Sequence, residues 1–324
     1  MKKSFKSCLA KQMEEFVYAK KASGRWCGTY EDNLHFFDNY CHLHFPDDNV
    51  MTPKMLDWCR ERPTENGNSC RSRISVIVNF IKYAQKKGWT SIELPTIAAN
   101  RPCTYIPHAF THVELASFFQ ACDNHVTRIY IRGKSINNKL NLLELPVYFR
   151  LLLSTGMRTC EARWLKRSDV NLEEGVIHIN KSKGIDQHRI ALDDSMLDLL
   201  RLYDEHMAKI MPNRINFFPN PKDCHHRPAW AEYHFRKIWK SVSDAVARPY
   251  DLRSYYAVTN ITKWANIGFE LHENLIYLSR TMGHRNLQST YGYFNITPVL
   301  ADKIKALTES SFNELLPKIS NHEK

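Results

Sequence analysis

TMGHRNLQSTYGYF, residues 281–294, holds a Gly283–His284 pair followed by two tyrosines, Tyr291 and Tyr293, seven and nine residues beyond the histidine. A lone histidine or tyrosine is ordinarily a packed or surface ring. This spacing asks for more. On a helix, residues two apart point about 200° away from each other, so only one of the two phenols can face a given cleft. In an extended segment they would share a face. The fold of the whole chain turns on what this segment meets.

The surrounding chain has 324 residues, a net charge of +11 and a pI of about 9.1. That length suits two domains rather than one core. Both halves are basic, which favours a long polyanion as partner, because counterion release drives basic proteins onto nucleic acid. The nine cysteines are odd in number and form no C-x-x-C pair, so reduced thiols are expected rather than a disulfide framework. The opening MKKSFKSCLAKQMEE lacks the apolar centre of a secretory signal. No apolar run reaches the ~18 residues of a membrane span. A soluble cytoplasmic protein, associated with the nucleoid and with no membrane partner, is expected. GxxxxGK[ST] and GxGxxG are both missing from the sequence, so ATP and dinucleotides are not implied. The run Cys224-His225-His226 places its ligand types side by side, which suits tetrahedral zinc poorly. No cofactor and no metal are expected.

The first hundred residues read as short helices. Leu34, Phe37 and Cys41 share one helical face; Ile74, Ile77, Val78 and Ile81 share another. TPKMLDWCRER reads as a helix with Thr52 as N-cap and Pro53 at the first position. ELPTIAANRPCTYIPHAFT, with three prolines and little periodicity, reads as a linker. Beyond it, Thr111 and Glu114 form a capping box, and IRGKSINNK looks like a polar loop. A long apolar helix should break at Gly156, followed by a second short one. GVIHINKSKGIDQHRIAL alternates at both ends and reads as a hairpin turning at KSKGIDQ. The fold class expected is mainly α with a small antiparallel β-sheet.

Four elements now stand in order: STGMRTCEARWL (154–165), INKSKGIDQHRIAL (179–192), PYDLRSYYAVTN (249–260) and the opening segment. In order, spacing and content they resemble the tyrosine recombinase family, also called phage-type integrases, over about residues 108–296. The resemblance implies a helical core-binding, DNA-binding domain over 1–100 and a linker over 101–107. A catalytic domain over 108–324 follows, ending in a C-terminal exchange helix. It implies double-stranded DNA as substrate, a homotetramer on paired sites, and accessory DNA-bending proteins as further partners.

The implied chemistry explains the residue types. Strand exchange without an external energy source must conserve the phosphodiester energy, and a covalent enzyme–phosphate bond does so. Arg158 and Arg253 are the implied phosphate clamps, since guanidiniums stay charged and match phosphate oxygens. Lys183, in its Ser-Lys-Gly context, is the implied general acid and is preferred over Lys181, two residues before it. Glu161 is read as the structural partner of an arginine. His284 is the implied phosphate donor, and Tyr293, nine residues later, the implied nucleophile in preference to Tyr291. One position departs from the family pattern: Tyr250 stands where a histidine is usual. A phosphate contact and a packed aromatic remain equal readings there, because a phenol of ordinary pKa near 10 is a poor base at neutral pH. After Tyr293, Leu300, Ile304 and Leu307 form a stripe on a helix capped by Thr297. The reading that follows is a site-specific recombinase acting through a 3′-phosphotyrosyl intermediate in integration or excision of a mobile element. Its rivals are a type IB topoisomerase-like relaxing enzyme and a non-catalytic DNA-binding relative.

Overall fold

Apolar periodicity becomes helix over most of the chain. The computed structural model describes residues 4–24, 26, 28–97, 105–132, 135–182, 187–264 and 271–293. Two units separate at residues 104 and 105, and each has its own core.

The N-terminal unit contains α1 (Ala10–Ala22), α2 (Gly28–His44), a 3-10 helix (Pro53–Cys59) and α3 (Gly67–Lys86). Met13 and Phe16 from α1, Leu34, Phe37 and Cys41 from α2, and Ile74, Ile77 and Ile81 from α3 are all buried in one cluster. Asn66 caps α3, its side chain accepting from the Ser69 amide at 2.8 Å. Asp38 is buried on α2 and accepts from the amides of Lys6 and Ser7 at 2.8 and 3.0 Å, which ties down the preceding segment. Residues 53–59 correct the sequence expectation: the helix is 3-10, and Thr52 does not cap it. The Thr52 hydroxyl donates to Asp48 at 3.3 Å instead, a local side-chain bond that competes with the cap.

The second unit runs α4 (His112–Arg132), α5 (Ile136–Thr155), α6 (Thr159–Trp164), β1 (Val170–Asn171), β2 (Val176–Ile179) and β3 (His188–Ala191). It continues with α7 (Asp194–Ile210), α8 (Pro228–Trp239), α9 (Pro249–Trp264), α10 (Leu271–Thr281) and the single turn α11 (Gln288–Tyr291). The Thr111–Glu114 capping box forms, with both reciprocal bonds in place. IRGKSINNK is helical at both ends: α4 continues to Arg132 and α5 begins at Ile136, because Ser135 accepts from the Asn138 amide and starts the helix, while Gly133 and Lys134 lie outside the described residues. Helix α5 is apolar on nearly every side, the mark of a buried helix, and packs against α4, α7 and α9. The strands form an antiparallel sheet in the order β1-β2-β3, with Ile177 opposite Ile190 and Ile179 opposite His188. The short β1 went unread in the sequence.

Phe16 is fully buried and meets Phe80, Tyr83 and Trp26. Phe16→Ala should therefore lower stability by about 3–5 kcal/mol, measured as a shift of the urea midpoint with unchanged slope.

Candidate active site

Two helix ends and one buried guanidinium build the site. Helix α5 stops at Gly156, whose φ of +62° is left-handed; a Cβ there would fall 2.2 Å from Cδ1 of Tyr256, so only glycine fits. Helix α10 ends in the same way at Gly283, with φ of +63°. Both corners offer backbone carbonyls to Arg253, which projects from the first turn of α9 and is 1% exposed. Its Nη1 donates to Gly156 O at 2.6 Å, and its Nη2 donates to Met282 O at 2.8 Å and to His284 Nε2 at 2.9 Å. Among the described residues no carboxylate makes an ion pair with it.

Arg158 starts α6 two residues after Gly156. Its Nη2 donates to Gly283 O at 2.7 Å, and its Nη1 to Glu161 Oε1 at 2.5 Å and Ser182 Oγ at 3.2 Å. Glu161 is buried and also accepts from the Arg158 amide at 2.8 Å and the Ser182 hydroxyl at 2.7 Å. It is the structural partner expected. Both arginines are thus held by atoms at the two glycine corners.

His284 is neutral here. Arg253 can only donate, so Nε2 accepts, and the proton sits on Nδ1, 2.8 Å from Thr290 Oγ1. Burial first, then the charges of Arg253 and Arg158, push its pKa down to about 4. The Tyr293 ring lies 6.0 Å from the His284 ring, nearly parallel to it. Tyr293 is 8% exposed and packs with Ala257, Ile261, Leu275, Leu278 and Met282. Burial raises its pKa; the Arg253 and Arg158 charges, and a hydrogen-bonding contact with Arg253, pull the other way.

The segment around the tyrosines is helical, and the two phenols diverge: Tyr291 is 38% exposed while Tyr293 turns inward. Tyr250, on the first turn of α9, is 46% exposed. It lies close enough to Tyr293 for its charge to oppose ionisation of that phenol. Lys183 lies outside the described residues, as does the helix read after Thr297. Lys181 sits with its ammonium 4.7 Å from the centre of the Trp164 ring. His226 is engaged by Glu144 at 2.8 Å and stacks on Trp230. Among the described residues no group of three or more histidines, cysteines or carboxylates is arranged to hold a metal.

Three residues of the site escaped the sequence: Ser182, Thr290 and His188. A Cβ on Gly283 would meet His188 Cε1 at 2.6 Å and Arg158 Nη1 at 3.1 Å, so the imidazole lines the same wall as the clamp. The signal was available: His188 precedes the buried Ile190 by two on an alternating strand, and so faces the same side.

A helical domain with a small sheet, a buried and a half-buried arginine, a Gly-His corner and a tyrosine beside it are the marks of a tyrosine recombinase. The model of the phage integrase family matches residues 109–298, more than half of the chain, and the chain belongs to that family. It is 26% identical over 236 residues to the integrase/recombinase y4rE of Sinorhizobium fredii, covering 70% of this chain and 72% of that one. It is 29% identical over 235 residues to the TnP I resolvase of Bacillus thuringiensis, with 71% and 73% covered. The fold is similar to the XerH site-specific recombinase bound to a difH substrate, with TM-score 0.59, 19% identity and coverage of 87% and 79%. It is also similar to a lambda integrase dimer on a core site, with TM-score 0.55, 15% identity and coverage of 87% and 94%. The chain is a site-specific tyrosine recombinase.

The neutral His284 makes a pH prediction. Above pH 6.5 the imidazole is uncharged both folded and unfolded. Below it the unfolded chain gains a proton that the folded chain refuses until about pH 4. Stability from this group is therefore complete above pH 6.5 and is lost as pH falls to about 4. The stability difference between the wild type and His284→Gln, followed by urea unfolding without DNA, should shrink across that window.

Proposed function

We propose that the chain cleaves and rejoins duplex DNA one strand at a time through a 3′-phosphotyrosyl link at Tyr293. The observation that carries this reading is the meeting of the Tyr293 phenol with the Arg253 guanidinium, beside His284 and Arg158, in one subunit. The tyrosine oxygen attacks phosphorus in line, the bond to the 5′ oxygen breaks, and that oxygen takes up a proton. The aryl phosphodiester keeps the bond energy, so the freed hydroxyl of another strand can attack back.

Arg253 and Arg158 stabilise the charge gathering on the non-bridging oxygens. An arriving phosphate also acts on His284. It gives Arg253 new acceptors and favours the charged imidazole, which turns Nε2 from an acceptor into a donor. Lys183 is the proposed acid for the leaving oxygen. Two neighbours support this choice: Ser182 is bonded into the Arg158–Glu161 pair, and Lys181 is held at Trp164. Tyr250 serves as a phosphate contact and not as the base, since a phenol, with a reference pKa near 10, is a poor base at neutral pH.

Relatives and similar folds support the wider setting. XerH, lambda integrase and the Tn1549 transposon integrase are described on their DNA sites, and lambda integrase as a tetramer on a Holliday junction. We extend this to a homotetramer on paired duplex sites that moves a mobile element. In the N-terminal unit, Lys20 of α1 and Asn79, Lys82, Gln85 and Lys86 of α3 line a concave basic surface around Tyr83. Lys87 is spent on Glu15, at 2.7 Å.

Two experiments test this. On a nicked duplex that traps the intermediate, Tyr293→Phe should bind DNA and form no covalent adduct. An adduct that survives there and disappears in Tyr291→Phe would make the nucleophile wrong. For the basic surface, changing Lys82 and Lys86 together to Ala should weaken binding to all duplexes alike. The slope of log affinity against log salt should fall by about two, one for each lysine that no longer neutralises a phosphate. An unchanged slope would remove this surface from the DNA interface.

A further inference from the structure

We propose that His188 is a further phosphate-contacting residue of the cleavage reaction, donating a hydrogen bond to a non-bridging oxygen of the phosphate held by Arg158. The proposal deepens the reading above and rests on it. His188 opens β3, the strand against which α10 packs. Its ring and the Arg158 guanidinium press on one spot of the Gly283 backbone: a Cβ there would lie 2.6 Å from His188 Cε1, 2.9 Å from its Nδ1 and 3.1 Å from Arg158 Nη1. Only a glycine at the Gly-His corner lets an imidazole stand so close to the clamp.

Both ring nitrogens of His188 are withdrawn from solvent. This wall also collects positive charge. Arg158 and Arg253 converge on it beside the neutral His284, and His188 is close enough to oppose protonation of that imidazole. Glu161, the carboxylate that meets Arg158, is already shared among the Arg158 amide, the Arg158 guanidinium and the Ser182 hydroxyl. Further N–H donors gathered at such a place are repaid when one anion accepts from all of them. The scissile phosphate is the anion this reaction brings. In the step itself His188 forms no bond to phosphorus and gives up no proton. The phosphorus–5′ oxygen bond breaks as the phosphorus–tyrosine bond forms, and His188 shares the charge on the oxygens that take no part.

The test compares two scissile groups in single-turnover cleavage of a nicked duplex: the natural phosphate, and a methylphosphonate in which a methyl group replaces one charged oxygen. His188→Ala should slow adduct formation roughly 10²-fold on the phosphate, as for loss of one transition-state donor. On the methylphosphonate diastereomer that lacks the contacted oxygen the loss should nearly vanish. His188→Gln, which keeps an N–H donor and much of the volume, should recover part of the rate. Thermal unfolding and DNA affinity, measured alongside, separate this from loss of folding. Equal losses on both substrates, or none on either, overturn the role of His188 while the Tyr293 adduct of the wild type stands. A wild type that forms no adduct through Tyr293 overturns the underlying reading, and this one with it.

Discussion

A buried cation that meets no carboxylate among the described residues is the constraint on which the second unit depends. Taking a guanidinium out of water costs on the order of several kcal/mol even after relaxation. Arg253 is held in that state by oxygens at the ends of two helices, Gly156 O and Met282 O. Carbonyl dipoles orient a charge without cancelling it, so the guanidinium keeps its field for a visiting anion. A carboxylate in the same place would have spent that field. The left-handed turns at Gly156 and Gly283 bring these carbonyls round to one side chain, and the crowding of Tyr256 and His188 against the two glycines fixes the corners in place. Arg158 shares the second corner through Gly283 O. One pair of helix ends therefore positions both guanidiniums.

The parts of the fold that local chemistry decides could be read in the sequence. The helical faces of α2 and α3, the Thr111 capping box, the break at Gly156 and the hairpin over 176–191 depend on neighbours three, four or two residues away. So did the divergence of Tyr291 and Tyr293, which follows from helical geometry alone. The failures have the opposite cause. Thr52 gave up its capping role to bond Asp48, and the loop expected around 131–139 is helical up to Arg132 and again from Ile136, which Ser135 caps. The site was legible as a set of residue types through the family resemblance, but not as a network. Ser182 matters because Glu161 reaches it from 21 residues away, and His188 because Gly283 passes beside it. No spacing rule encodes such meetings.

The two rings that would carry the chemistry are stored in their uncharged forms. Burial holds the Tyr293 phenol protonated, and burial with the neighbouring arginines holds His284 neutral. Both conditions suit one fact: the DNA-free site has positive charge and no anion to set against Arg253 among the described residues. Arrival of a phosphate reverses the balance for the imidazole, because the anion favours its charged form. For the phenol the anion acts against ionisation, and the guanidiniums must outweigh it. Tyr293 therefore gains most from the arginine it already touches. On the proposed mechanism the site is preorganised for charge on the phosphate, with proton removal left as the harder step.

Packing around Tyr293 fits that division. Its cluster with Ala257, Ile261, Leu275, Leu278 and Met282 is separate from the large core built on α5. Small satellite clusters open at lower cost than main cores. The clamps hang on the end of α5 and the first turn of α9, where Leu152 and Leu252 anchor them to the large core. The tyrosine rests on the smaller cluster, together with Met282, whose carbonyl also holds Arg253. On the proposed mechanism the Gly156 corner rests on the large core, while the Tyr293 phenol and the Gly283 corner share the satellite, so the nucleophile and the carbonyls that hold both arginines shift together.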